Sequence, residues 1–162
     1  MVIMDLDGVL TDGRIIYGDY GDELKFFDVQ DGFGLTLLHK AGLRTAVISA
    51  RKSRINRRRA NELKIGKLYQ NVQDKSKVFE QLLGRHKLLP DEICYIGDDW
   101  SDLRAMRRAG FSVAVENALE EVKEAADYVT KKHGGRGAVR EAADLILRVQ
   151  GKRDALVAHY CG

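Results

Sequence analysis

The chain has 162 residues, enough for one domain with a real core. Its 44% hydrophobic and 31% charged residues describe a globular protein, and no run approaches the ~18 apolar residues of a membrane span. A net charge of +3 does not by itself imply nucleic acid, the two cysteines, Cys94 and Cys161, give no disulfide framework, and an acid already at Asp5 leaves no room for a signal peptide, so a cytoplasmic protein is expected.

Taken in chain order, residues 1–6 read as a short apolar strand. RIIY (14–17) and ELKFFDV (23–29) flank the Gly/Asp turn GDYGD and predict a β-hairpin. A helix is expected from Asp31, with Phe33, Leu35, Leu37, Leu38 and Ala41 as its apolar positions and Gly42 at its end. LRTAVIS is a continuous β-type run suited to a strand buried on both faces. Ser53 to Leu63 reads as helix, and GKLYQ as a short strand. Asp74 caps a helix carrying Val78, Phe79, Leu82 and Leu83 on one face. After a turn at Pro90 come the strand EICYIG, a helix from about Asp99 to Ala109 and the strand FSVAV. A helix at Ala118–Ala125, the strand DYVT and a closing helix at Gly137–Gln150 complete the chain. The basic run ARKSRINRRRA (50–60) fits the solvated face of a helix for Arg54 to Arg59. Nucleic-acid binding would need further patches with interleaved aromatics.

Alternating strands and helices of this length predict an α/β fold. It is a single doubly wound, Rossmann-like parallel sheet over residues 1–162, with helices on both faces. Ligands of such sheets bind beyond the carboxyl ends of the strands. The first strand ends at Asp5 and Asp7, the second central strand at Ser49, Ala50 and Arg51, and a later one at Gly97, Asp98 and Asp99. Lys75 opens the helix that follows the short strand. Several carboxylates within reach of each other need a counter-charge, and hard oxygen ligands suit Mg²⁺. Ser49 and the amides of Ala50 and Arg51, at the entry to a helix, form a cradle for an anion, and Lys75 adds a point charge. Such a set suits phosphoryl transfer, in which a carboxylate attacks phosphorus and water then hydrolyses the acyl phosphate. Receiver modules of signalling systems use a similar set of acids, Mg²⁺, Ser/Thr and Lys. In them the acidic pair follows the first strand, but the phospho-acceptor follows a later one.

The order of these residues resembles the haloacid dehalogenase-like phosphatase superfamily. Asp5 and Asp7 in DLDGVLTDG match its first motif, Ser49 its second, and Lys75 in QDKSK its third. Asp98, Asp99 and Asp102 in GDDWSD match its fourth. The resemblance implies that Asp5 is the nucleophile and Asp7 the general acid/base. It also implies that Mg²⁺ is held by Asp5, the carbonyl of Asp7, and Asp98, while Asp99 and Asp102 serve behind them. One departure is Ala50, where the family often has Gly, so a methyl group crowds a backbone position that glycine normally frees. Asp12 reads as a loop acid.

A closer resemblance runs over nearly the whole chain through DGVLTDG, FDVQDGFG, LYQ, YIGDDWSD, SVAV, ADYVT and GGRGAVREAADLIL. It is to the capless branch of the superfamily that dephosphorylates acidic sugar phosphates. It implies an eight-carbon acid sugar as substrate, with a nine-carbon sialic-type acid 9-phosphate as the alternative, and a homotetramer in which neighbouring subunits close the active sites. A regulatory or oligomerisation domain without turnover is a further alternative, which the complete set of site residues disfavours. The hairpin insertion, about 14–29, leaves no room for a separate cap domain. Its Ile15, Ile16, Tyr17, Leu24, Phe26 and Phe27 would expose apolar surface unless a partner covers them. Arg51 and Arg136 are candidate contacts for substrate carboxylate or phosphate. The resemblance implies that HGGRGAVRE approaches a neighbouring subunit's site, the alternative being a flexible loop before the last helix; its glycines allow close backbone approach, and Gln30, Asp31 and Gly32 are expected at the pocket entrance.

Overall fold

The computed structural model describes residues 1–162. Its sheet is built from β1 (Val2–Met4), β4 (Thr45–Ile48), β5 (Lys67–Tyr69), β6 (Cys94–Gly97), β7 (Phe111–Ala114) and β8 (Tyr128–Val129). The order is β5-β4-β1-β6-β7-β8 and every pairing is parallel. β1 and β4 are buried throughout, as continuous apolar runs require in a sheet covered on both faces. β2 (Ile16–Tyr17) and β3 (Glu23–Leu24) form a separate antiparallel hairpin.

The helices are α1 (Val29–Lys40), α2 (Arg54–Glu62), α3 (Lys75–His86), α4 (Leu103–Met106), α5 (Glu120–Glu124), α6 (Ala138–Val149) and α7 (Arg153–Cys161). The chain steps one way along the sheet through α1 and α2 and the other way through α3, α4 and α5. With right-handed crossovers, those steps put the two groups on opposite faces. α6 packs against α1 and carries α7 on the same side, while α3 packs against α4. The core between the layers joins Ile3, Met4, Leu35, Leu38, Phe79, Leu82, Ile96 and Leu147 into one cluster. No helix is long and apolar enough to cross a membrane.

The capping residues behave as the sequence dictates. Ser53 Oγ accepts from the amide of Ile55, and Asp74 Oδ1 from that of Ser76. Gly42 has φ +82 just beyond α1 and turns the chain into β4. Boundaries differ in four places. Helix α1 starts at Val29 because Asp28, not a later residue, takes the amide of Gln30. The hairpin strands are only two residues long, and Phe27 instead bridges Thr11. The helix expected over Asp99–Ala109 shortens to α4, because the Asp102 side chain holds the amides of Asp98 and Asp99 in a turn. Residues 151–162, unassigned from sequence, form α7, whose Tyr160 meets the Phe33 ring edge-on at 5.2 Å and lies under Lys40. In the basic run, Arg54, Arg57 and Arg58 are exposed, but Arg59 is not part of the solvated face. Its guanidinium stacks on Phe27 and donates to the carbonyl of Asp28.

Candidate active site

Parallel pairing sets Met4 level with Val47 and Ile96. Two residues further on, the chain leaves three adjacent strands with Asp5 to Asp7, Ser49 and Asp98 at one end of the sheet. Lys75, the first residue of α3, is buried there with its Nζ 2.9 Å from Asp5 Oδ1 and 2.8 Å from Asp102 Oδ1. Asp102 is fully buried, and all of its capacity is used. Tyr95 Oη and Lys75 donate to Oδ1, and the amides of Asp98 and Asp99 to Oδ2. Asp5, Asp98 and Asp102 bring carboxylate oxygens within 4.8 Å of one another, and Lys75 pairs with two of the three, Asp5 and Asp102.

Electrostatics follow from that crowding. Burial, then the charge of Asp102, push the Asp5 carboxyl up to about 6, against the pull of Lys75. Burial, then Asp5 and Asp102, push Asp98 up to about 8. Burial opposes the charge on Lys75, but Asp5 and Asp102 outweigh it and hold the ammonium above its ordinary value. Asp98 Oδ1 is buried with no hydrogen-bond partner. An orphaned carboxylate oxygen beside a second carboxylate is what a hard divalent cation requires, so the residues fit Mg²⁺. Asp102 lies within the same cluster but is committed to Lys75, Tyr95 and two amides, so Asp5 and Asp98 are the acids free to ligate.

Backbone shape makes room for this set. Gly8 has φ +97, and a Cβ there would stand 2.0 Å from Asp98 Oδ2. Thr11 Oγ1 accepts from the amides of Gly8 and Gly13 and ties the loop after β1. From the other end of the chain, Gly134 and Gly135 lie directly on this loop. A Cβ on Gly134 would meet the Gly8 carbonyl at 1.7 Å, and the Gly135 amide donates to the carbonyl of Val9. The glycines of HGGRGAVRE thus serve a close approach within the same subunit.

The remaining sequence-predicted residues are less tightly gathered. Ser49 is buried at the end of β4, and its Oγ accepts from the amide of Arg51 at 3.2 Å, so that amide is turned inward. The helix N-terminus expected to complete the anion cradle is capped by Ser53, four residues past Ser49, leaving Ser49 and the Ala50 amide. The non-glycine residues with positive φ are Lys64, Asn71 and Lys87, so Ala50 is not forced into a glycine-only conformation. Arg51 reaches Tyr17 Oη of the hairpin at 2.9 Å and Glu23 at 3.8 Å. Arg136 is exposed and lines a hollow of about 280 Å³ with Asp12, Arg14 and Phe26. It makes no ion pair with the Asp5 cluster. Asp12 pairs with Arg14 as a loop acid. Asp31 and Gly32 do not stand at an entrance. Asp31 is buried and accepts the amides of Gly137 and Arg140, serving as the cap that Gly137 cannot supply to α6.

Sequence reasoning passed over Lys25, Asn56 and Tyr95. Lys25 has a side chain with no exposed surface and lies 2.5 Å from Asp7 Oδ1 and 3.0 Å from Asn56 Oδ1. A two-residue period would have placed Glu23, Lys25 and Phe27 on the inner face of the hairpin, opposite Leu24 and Phe26. A tyrosine inside an apolar strand likewise signals a buried partner for its hydroxyl.

A family model for haloacid dehalogenase-like hydrolases matches residues 35–142. The chain belongs to this family. It is 43% identical over 154 residues to the 3-deoxy-D-manno-octulosonate 8-phosphate phosphatase KdsC of Escherichia coli (strain K12), covering 95% of this chain and 82% of that protein. The structure of the Moraxella catarrhalis 3-deoxy-D-manno-octulosonate 8-phosphate phosphatase, a complex with magnesium ion, phosphate ion and KDO, superposes with a TM-score of 0.96. It is 43% identical, over 98% of this chain and 91% of that one. The cobalt-bound enzyme of Haemophilus influenzae superposes with a TM-score of 0.90 at 42% identity, over 94% and 89%.

Proposed function

We propose that this chain is a Mg²⁺-dependent phosphoric monoester hydrolase that converts 3-deoxy-D-manno-octulosonate 8-phosphate to the free eight-carbon acid sugar (Kdo) and phosphate. The observation that carries the reading is the set of buried Asp5 and Lys75 with half-buried Asp98 at the carboxyl ends of β1 and β6, with Asp98 Oδ1 left unpartnered. Its likeness to the Kdo 8-phosphate phosphatases, at 43% identity over 95% of the chain, supports the choice of sugar.

Asp5 attacks phosphorus and forms an aspartyl phosphate as the bond to the sugar oxygen breaks. Asp7 gives that oxygen its proton, then takes one from the water that attacks the aspartyl phosphate, releasing phosphate and restoring Asp5. Mg²⁺, held by Asp5, the Asp7 carbonyl and Asp98, offsets the negative charge of the phosphoryl group. Lys75 keeps Asp5 in place and contributes positive charge, and Ser49 and the Ala50 amide donate to phosphate oxygens. Arg51 and Arg136 are the cations for the sugar carboxylate. The exposed apolar residues of the hairpin, among them Tyr17 (70% exposed), Tyr20 (99%) and Phe26 (57%), support a homotetramer in which neighbours close the sites.

Phosphate release from Kdo 8-phosphate, a nine-carbon acid 9-phosphate and simple sugar phosphates, with Mg²⁺ and with EDTA, tests the reading. Turnover is expected to be metal-dependent and highest on the eight-carbon ester, and preference for the nine-carbon ester would reassign the substrate. Asp5→Asn is expected to release no phosphate, and full turnover by that variant would end the covalent mechanism. Sedimentation as a monomer would remove the shared-closure argument.

A further inference from the structure

Lys25 lies just past β3, in the hairpin, far along the chain from every residue given a chemical role so far. Its Nζ is nonetheless buried inside the site. Three oxygens surround it: Asp7 Oδ1 at 2.5 Å, Asn56 Oδ1 from α2 at 3.0 Å and Glu23 Oε1 at 3.6 Å. Two of the three N–H groups of the ammonium are taken by Asp7 and Asn56, while Glu23 Oε1 is a charge neighbour beyond hydrogen-bond distance. With no exposed side-chain surface and two carboxylates around it, Lys25 is turned toward Asp7 rather than toward solvent. The same contacts leave Asp7 asymmetric. Oδ1 is held, while Oδ2 is buried and has no partner in the protein.

We propose that Lys25 is a positioning residue for proton transfer: by fixing Asp7 Oδ1 between β3 and α2, it leaves Asp7 Oδ2 as the one oxygen that exchanges a proton with the leaving alcohol and with water. The role rests on the phosphatase reading above. Burying an ammonium is costly unless acceptors surround it, and the two carboxylates and the amide oxygen meet that requirement only while the hairpin lies against α2. Correct seating of the hairpin and correct orientation of Asp7 thus become one condition. General acid catalysis contributes only if the donor stands within hydrogen-bond reach of the oxygen it protonates, which is a geometric demand that a freely rotating carboxyl does not meet.

A leaving group that is already a good one needs little help from an acid, and a poor one needs much. The test is therefore Lys25→Met assayed by kcat/KM on phosphate monoesters whose alcohols run from nitrophenol to a simple alkyl alcohol, with Kdo 8-phosphate included. On the alkyl esters kcat/KM is expected to fall roughly 10- to 100-fold, a part of the 10²–10⁴ that a positioned acid supplies. The nitrophenyl ester is expected to lose far less, so the dependence on leaving-group acidity steepens. In an Asp7→Asn background the same change is expected to add no further loss, because the two residues act through one contact. An equal loss on every ester, a rise in KM alone, or losses that add to those of Asp7→Asn would overturn the proposal. Should Lys25→Met fail to fold, Asn56→Ala removes one acceptor and keeps the charge. It is expected to steepen the dependence in the same direction by a smaller amount, and a flat profile overturns the role. Wild-type protein that releases phosphate from none of these esters would instead defeat the phosphatase reading itself.

Discussion

Replacing Asp98 by Asn separates what the site costs the fold from what it does. The Asp98 carboxyl is raised from 3.8 to about 8 by burial and by the charges of Asp5 and Asp102. A group that holds its proton more tightly in the folded state contributes most stability at low pH and loses it as pH rises through its folded value. Between 3.8 and 8 the gap is about four pH units, and at 1.36 kcal/mol each the ceiling is about 6 kcal/mol. Asp98 is half-buried, so water relieves much of this, and about 2–3 kcal/mol is expected at pH 8 without metal. Asn is the same size, carries no charge, and gives up no hydrogen bond, since Asp98 Oδ1 accepts none. For a chain of this length that is a rise in Tm of roughly 5–10 °C. Thermal melts in EDTA at pH 8, 6 and 4 should show the variant more stable at pH 8 and the gap closing toward pH 4. In excess Mg²⁺ the wild type should gain stability and the variant should not, and the variant should release no phosphate. A variant that melts at or below wild type at pH 8 in EDTA, or a gap independent of pH, would refute the argument.

Lys75→Met leaves the buried Asp5 and Asp102 without their cation, so a loss of about 3–5 kcal/mol is expected in urea denaturation, together with loss of turnover. Gly8→Ala places a Cβ against Asp98 Oδ2 at a φ of +97, costing about 1–3 kcal/mol in strain. Calorimetric titration should find Mg²⁺ binding weakened, and unchanged affinity would contradict the role of Gly8 in clearing the site. Gly134→Ala should lift the glycine pair off the loop after β1 and lower kcat/KM about 10- to 100-fold with a normal circular dichroism spectrum.

The parallel sheet was legible because β4 and β6 are continuous apolar runs flanked by capped helices, and Ser53 and Asp74 announce their helices outright. The strand-end logic then gathers Asp5, Lys75 and Asp98 from three distant places in the chain. What stayed hidden depends on tertiary contacts. α4 is cut short by the reach of a single side chain, Asp102, and α7 exists because Tyr160 finds Phe33 and Lys40 on a helix more than 100 residues away. Asp31 looked like a pocket residue from its place in QDGFG, yet both of its oxygens face amides of α6. Lys25 has an ordinary surface sequence context, and only the register of the hairpin turns it inward.

The Asp31 contact also ties α1 to the start of α6 across more than 100 residues. Asp31 lies in α1, but the amides that it accepts belong to residues 106 and 109 positions later. The glycine pair that backs the loop after β1 sits immediately before them. A chain cut before Gly134 would contain Asp5, Asp7, Ser49, Lys75 and Asp98 and still lack the glycine pair that backs the loop after β1. The acids and lysine of the site and the backbone that frames them thus come from segments far apart in sequence, and the site is complete only when both have folded together.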